Sequence, residues 1–236
     1  MAGKSRGPGR PPGTSKTLAE RRDQLLAAAE DVIRSQGPDV SMGGIAKQAG
    51  VSKATLYDNF DGKADLTQAL IVRNGQMLLA AYGEVLAEAL IPEDFVRSGI
   101  EVFVRHVDAG PEIYRFIIAN ASGDALIDEI GLPLAALTRS VLAQQGKGPE
   151  TAEALARTAL GTLFAATAWW SQHRSLPRPV FERTLADFIW GGLVSAGIEP
   201  TTDPVDVAEL AKVLASNAPE PKPRHRGEAA DDGRRS

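Results

Sequence analysis

Three features of the sequence predict an all-α fold. Apolar residues recur at helical spacing over most of the chain, no stretch alternates with period two, and no Asn-Gly or Asp-Gly pair joins two strand-like runs. Glycine and proline fall between the helical segments, where they separate one helix from the next. At 236 residues, with 43% hydrophobic and 24% charged side chains, the composition is that of an ordinary globular protein of one large or two modest domains.

Residues 1–16 contain seven Gly or Pro and carry Lys4, Arg6, Arg10 and Lys16 without an acid, which predicts a flexible basic arm. Helix signals begin with a capping box, Thr17-Leu-Ala-Glu20, followed by an apolar stripe at Leu18, Leu25, Leu26, Ala29, Val32 and Ile33. Gly37-Pro38 ends that helix at residue 36. Further helices are expected over 42–49, 53–60, 63–90, 92–109, 112–121, 125–145, 149–173, 179–196 and 204–215. Pro92, Pro149, Pro179 and Pro204 each suit a first helical position, where the missing N–H costs nothing. Residues 217–236 are rich in proline and charge and are expected to form a disordered tail.

Several function classes are excluded or disfavoured. With no cysteine there is no disulfide, no thiol catalysis and no Cys-based zinc site, and the absence fits a reducing cytoplasm. His106, His173 and His225 lie far apart and form no metal-binding pair, and no Ser/His/Asp set can be connected, so neither an enzyme nor a metal or other cofactor is expected. No apolar run approaches the ~18–20 residues of a membrane helix, and no signal peptide is expected behind the basic Gly/Pro-rich start. The net charge of −4 is unevenly spread, with +3 on residues 1–63 and −7 on 64–236. A basic front on an acidic body suggests a head that meets a polyanion.

The informative stretch runs from Ser41 to Phe60. Two short helices flank Ala49-Gly50-Val51-Ser52, with Ala46 small enough for a close helix crossing and Gly50 able to take the positive φ of a tight turn. Ile45, Ala49, Val51, Leu56 and Phe60 would lock the second helix onto the first, and Ser52 would cap it. That leaves Lys53, Ala54, Thr55, Tyr57, Asp58 and Asn59 facing outward, a set suited to base edges and phosphates in a DNA major groove.

Together with Phe60-Asp-Gly-Lys63-Ala-Asp-Leu66 and the amphipathic helix before it, this stretch resembles the DNA-binding domain of the TetR (tetracycline-repressor-like) family of transcriptional regulators. The resemblance covers about residues 17–70. It implies a three-helix helix-turn-helix domain over 17–63 and a larger helical effector-binding and dimerisation domain over 64–216. It further implies that Lys53, Thr55, Tyr57 and Asn59 occupy recognition-helix positions, with Tyr57 and Lys63 at phosphates. Two departures stand out. Gly43-Gly44 opens the second helix at up to ~1 kcal/mol per glycine relative to alanine. Asp58 puts an acid on the recognition helix, where it either accepts from a cytosine amine or pairs with a lysine. In the arm, Arg6-Gly-Pro-Gly-Arg10-Pro-Pro is similar to minor-groove hooks, which would place Arg10 on DNA; the alternative is a solvated tail.

In the body, the helices at 149–173 and 179–196 carry more apolar faces than one core can use, and all three tryptophans. Phe164, Trp170, Phe188, Trp190 and Gly192 are therefore expected at a homodimer interface, as the family resemblance also implies. Phe103, His106, Tyr114, Phe116 and Ile117 are candidates to line an effector pocket. The expected function is a ligand-responsive regulator, a repressor that binds a near-palindromic double-stranded operator as a dimer and is released by a small molecule.

Overall fold

The computed structural model describes residues 15–86, 91–121 and 125–204, and among these the backbone forms helices and turns with no strand. Helices α1 (Ser15–Gln36), α2 (Met42–Gln48) and α3 (Lys53–Tyr57) precede the long α4 (Gly62–Leu86). They are followed by α5 (Pro92–Ala109), α6 (Pro111–Asn120), α7 (Ala125–Gln144), α8 (Ala152–His173) and α9 (Arg178–Ser195). The helix expected at 204–215, the tail at 217–236 and most of the basic arm, Arg10 included, lie outside the described residues.

Among the described residues, three helix ends differ from the sequence reading by more than one residue. Helix α1 begins at Ser15, so Thr17 lies inside it and is not its N-cap. Pro149 opens a turn closed by Ala152 N–H donating to the Pro149 carbonyl at 3.1 Å, and α8 starts only after Thr151. The third helix ends at Tyr57 because the next residues tighten: Asn59 and Phe60 both donate to the Leu56 carbonyl, at 3.1 and 2.9 Å.

Two apolar cores organise most of the chain. The first joins Leu25, Ala29 and Ile33 of α1, Ile45 and Ala46 of α2, Leu56 of α3 and Phe60. It extends through Leu66, Leu70 and Ile71 of α4 and takes Ile113, Phe116 and Ile117 from α6. The second gathers Leu78 of α4, Ile100, Phe103, Val104 and Val107 of α5, Tyr114 of α6, and residues of α8 and α9. Helix α4 therefore serves both cores, its first half in the head and its second in the body. A smaller third core joins Leu137, Val141 and Leu142 of α7 to Ala152, Trp190 and Ile198. Among the described residues no helix is long and apolar enough to cross a membrane.

Phe60 is 0% exposed and sits where α1, α3 and α4 meet, whereas Leu132 on α7 is 57% exposed. Chemical denaturation is expected to show Phe60→Ala losing about 3–5 kcal/mol and Leu132→Ala changing by less than about 0.5 kcal/mol. Equal losses would contradict the head core.

Candidate nucleic-acid interface

The α2–turn–α3 unit is built from local hydrogen bonds. Ser41 caps α2 by accepting from Gly44 N–H at 3.1 Å, and Ser52 caps α3 by accepting from Thr55 N–H at 3.0 Å. Between them Gly50 adopts φ +69°, and Val51 N–H donates to the Ala46 carbonyl at 3.0 Å, which folds the second helix back onto the first. Leu56 and Phe60 are fully buried beneath α3, so its opposite face is turned to solvent.

On that face Lys53, Ala54, Tyr57 and Asp58 are exposed, Tyr57 by 55%. Thr55 and Asn59 are only half exposed and already engaged. The Thr55 hydroxyl shares a hydrogen bond with Ser52 Oγ at 2.9 Å, and Asn59 Nδ2 donates to the Thr55 carbonyl at 2.8 Å. To read a base edge, Asn59 must give up that bond. Gly43 has a role that its helix propensity does not suggest. A Cβ there would stand 2.8 Å from Lys53 Cε and 3.2 Å from its Nζ, so the lysine lies across a gap that glycine leaves. Its ammonium rests at the N-terminal end of α2, where the helix dipole disfavours a cation. A phosphate therefore meets little resistance in drawing it away.

Lys63, in the first turn of α4, is half-buried, with Nζ 5.0 Å from the centre of the Phe116 ring. A phosphate contact from Lys63 requires the side chain to swing off that ring.

Sequence reasoning missed the clamp behind α3. Arg22 of α1 donates to Asp65 Oδ1 at 3.0 Å and to the Asn59 carbonyl, while its guanidinium lies 4.3 Å from the centre of the Phe60 ring. Asp65 in turn accepts from Asp61 N–H at 2.9 Å, closing the start of α4. One arginine thus ties α1 to the residues that follow α3 and to the start of α4. The acid four residues after Asp61 was the available sequence signal, but nothing in it pointed to a partner 43 residues away.

Four of the five expected pocket residues come together. Phe103, His106, Tyr114 and Ile117 line a cavity of about 100 Å³ between head and body, with Ile71, Asn74, Met77, Leu78, Val107 and Arg34 completing its wall. Phe116 lies instead in the head core. His106 Nε2 is 3.3 Å from Asn74 Oδ1, and Asn74 Nδ2 donates to the Leu70 carbonyl at 2.9 Å and reaches Glu30 Oε1 at 3.5 Å. Arg73 completes this chain with its Nε 3.3 Å from Glu30 Oε1. Burial raises the Glu30 pKa, an effect that Arg73 and Arg34 oppose. Burial lowers that of His106, and Arg34 lowers it further. Tyr114 closes the cavity's far side, its hydroxyl donating to the Phe164 carbonyl at 3.0 Å.

The five residues expected at a dimer interface divide between inside and outside. Phe164 and Trp170 pack into the second core, Trp170 stacked on Phe181 at 5.0 Å with its Nε1 donating to the Leu176 carbonyl at 2.9 Å. Trp190 is 8% exposed in the third core. These three aromatics are therefore committed within the chain. Phe188 is 69% exposed, and Gly192 faces open space. With Val180, Thr184 and Gly191, they form an exposed stripe at helical spacing along α9. Helix α8 shows a matching exposed stripe of Ala154, Thr158, Ala165 and Trp169.

Residues 25–70 match the family model for bacterial regulatory proteins of the tetR family, and residues 84–204 match that of the tetracyclin repressor-like C-terminal domain. An uncharacterized HTH-type transcriptional regulator of Mycobacterium tuberculosis is 31% identical over 188 residues, spanning 75% of this chain and 80% of that protein. The HTH-type transcriptional activator FasR of Mycolicibacterium smegmatis is 28% identical over 183 residues, 74% of this chain and 83% of that protein. The crystal structure of the transcriptional regulator FadR from Bacillus subtilis in complex with stearoyl-CoA shares the fold. Its TM-score is 0.59 at 16% identity, over 72% of this chain and 98% of that one.

Two substitutions separate the clamp from the exposed face. Arg22→Ala is expected to cost about 1–2 kcal/mol of stability, the half-exposed ion pair adding little to the charged hydrogen bond, and to weaken DNA binding without itself facing DNA. Lys53→Ala is expected to leave the melting temperature unchanged while weakening specific and nonspecific DNA alike. Thermal unfolding paired with DNA titration checks both. An Arg22→Ala protein of wild-type stability would remove the clamp from the account.

Proposed function

The chain belongs to the TetR family of bacterial regulatory proteins, whose members are DNA-binding transcriptional regulators and not enzymes, and on that premise we propose that it is a ligand-responsive repressor. It binds a near-palindromic operator as a homodimer in the cytoplasm and is released by a small molecule. The observation that carries this reading is the capped, solvent-facing α3, clamped by Arg22 to the helix that leads into the body.

The paired stripes on α8 and α9 support the dimer. An exposed Phe188, Trp169 and Val180 beside glycines is an apolar surface that a second copy can cover, with small residues allowing close helix approach. Two-fold symmetry then places two α3 helices on one face of the duplex about one turn, ~34–36 Å, apart. Lys53, Thr55, Tyr57, Asn59 and Lys63 make the DNA contacts, the first four through α3 and its end, with Arg10 reaching from the arm.

The cavity supports ligand control. Phe103, His106, Tyr114 and Ile117 face an effector there, and Asn74 stands between the cavity histidine and Glu30 of the head. A ligand that displaces His106 or Asn74 acts on α1 and α4 together. A difference of 1–3 kcal/mol in its affinity for two arrangements of the heads shifts DNA binding about 5- to 150-fold.

Repression needs only that a dimer over two half-sites excludes polymerase from the DNA it covers. The relative FasR is an activator, so activation is the second reading. A promoter–reporter fusion with and without the gene separates them by the sign of the change.

Sedimentation with DNA titration tests the assembly. The wild-type chain is expected to sediment as a dimer and Phe188→Glu as a folded monomer. The monomer should lose about 10²-fold or more in affinity for a two-half-site duplex, because the second head is no longer tethered. A monomeric variant that keeps full affinity would overturn the dimeric reading.

A further inference from the structure

We propose that the cavity between head and body binds a small monocarboxylic acid, its carboxylate held by Arg34 at the rim and its apolar tail among Ile71, Leu78, Phe103, Val107 and Ile117. This inference rests on the chain being ligand-responsive, and it names the ligand's class.

The polar groups set the charge. Arg34 is exposed at the end of α1 and donates to the Ala109 carbonyl at 3.3 Å. Among the described residues no carboxylate lies within ion-pair distance of it. Glu30, one helical turn earlier, is taken by Arg73. The guanidinium therefore has donors to spare in a planar fork that matches a carboxylate. Gly110 makes room for it: a Cβ there would stand 3.0 Å from Arg34 Nη1. His106 faces the same cavity, where burial and then the charge of Arg34 disfavour its protonated form. An anion held at Arg34 offsets the arginine's charge, which a neutral or cationic ligand cannot do.

The volume sets the tail. An apolar cavity of about 150 Å³ holds one benzene ring, and this one is about 100 Å³. The apolar part that the cavity takes in is therefore on the scale of a single ring or a short alkyl chain. The site also carries a regulatory consequence. Arg34 belongs to α1 in the head, and Phe103, His106 and Val107 belong to α5 in the body. A ligand held at both ends ties the two together beside the hydrogen bonds that Arg34 makes to the Ala109 carbonyl and Asn74 makes to His106 and Glu30.

Calorimetric titration of the full chain with benzoate, benzamide and acetate tests the proposal. Benzoate is expected to bind at least about tenfold more tightly than benzamide, which keeps the ring without the charge, and than acetate, which keeps the charge without the ring. Arg34→Gln, a substitution at an exposed position, is expected to abolish the preference for benzoate over benzamide. Equal binding of benzoate and benzamide, equal binding of benzoate and acetate, absence of benzoate binding, or a preference that survives Arg34→Gln would each overturn it. DNA titration of the same samples separates this result from the wider reading. Tight DNA binding that benzoate leaves untouched removes the carboxylate as effector, whereas failure to bind any duplex removes the regulator reading while the calorimetry still reports on the site.

Discussion

The structure depends on α4 being a single rod shared by two cores. Its 25 residues span about 37 Å at 1.5 Å per residue. Leu66, Leu70 and Ile71 are fixed in the head, and Leu78 lies in the body. Cores are packed at crystal-like density and do not deform smoothly, so movement at one end of the rod is passed to the other. Helix α6 reinforces the arrangement, with Ile113, Phe116 and Ile117 in the head core and Tyr114 in the body. The head is therefore oriented by the body and is not a bead on a loose linker.

That constraint explains why so short a recognition helix can serve. Helix α3 has five residues, far fewer than a helix needs to be stable alone in water. Its conformation is imposed by the Ser52 cap, by the burial of Leu56 and Phe60, and by Arg22 holding the Asn59 carbonyl. Because Arg22 also holds Asp65, the same side chain sets the angle between α3 and α4. The half-exposed ion pair contributes little stability by itself; its effect is on geometry.

The helix-turn-helix was legible because its rules are local. Cap residues, a turn glycine and i, i+4 apolar spacing all fall within twenty residues, and Gly50, Ser52 and Leu56 adopt the expected roles. Helix starts were less legible, since Thr17 and Pro149 each carried a capping signal that nearby turns could use equally well. Long-range pairings were not legible at all: Arg22 with Asp65, Asn74 with Glu30, and Arg34 beside Gly110 depend on how distant helices cross. In α8 the sequence showed more apolar surface than one core can use, without saying which residues would be left outside. The larger side chains, Phe164 and Trp170, fill the core, and the face with alanine, threonine and Trp169 is left outside. Core packing favours volume, whereas close approach of a second chain favours small residues.

In the proposed assembly two copies of this chain present two α3 helices, fixed by α4, to one face of a DNA duplex. Selection of binding sites from a randomised duplex pool tests it most directly, since such a pool presupposes no operator sequence. The expected result is enrichment of an inverted repeat whose half-site centres lie about one helical turn, ~34–36 Å, apart. Enrichment of an unpaired or directly repeated site, or of no motif at all, would contradict it.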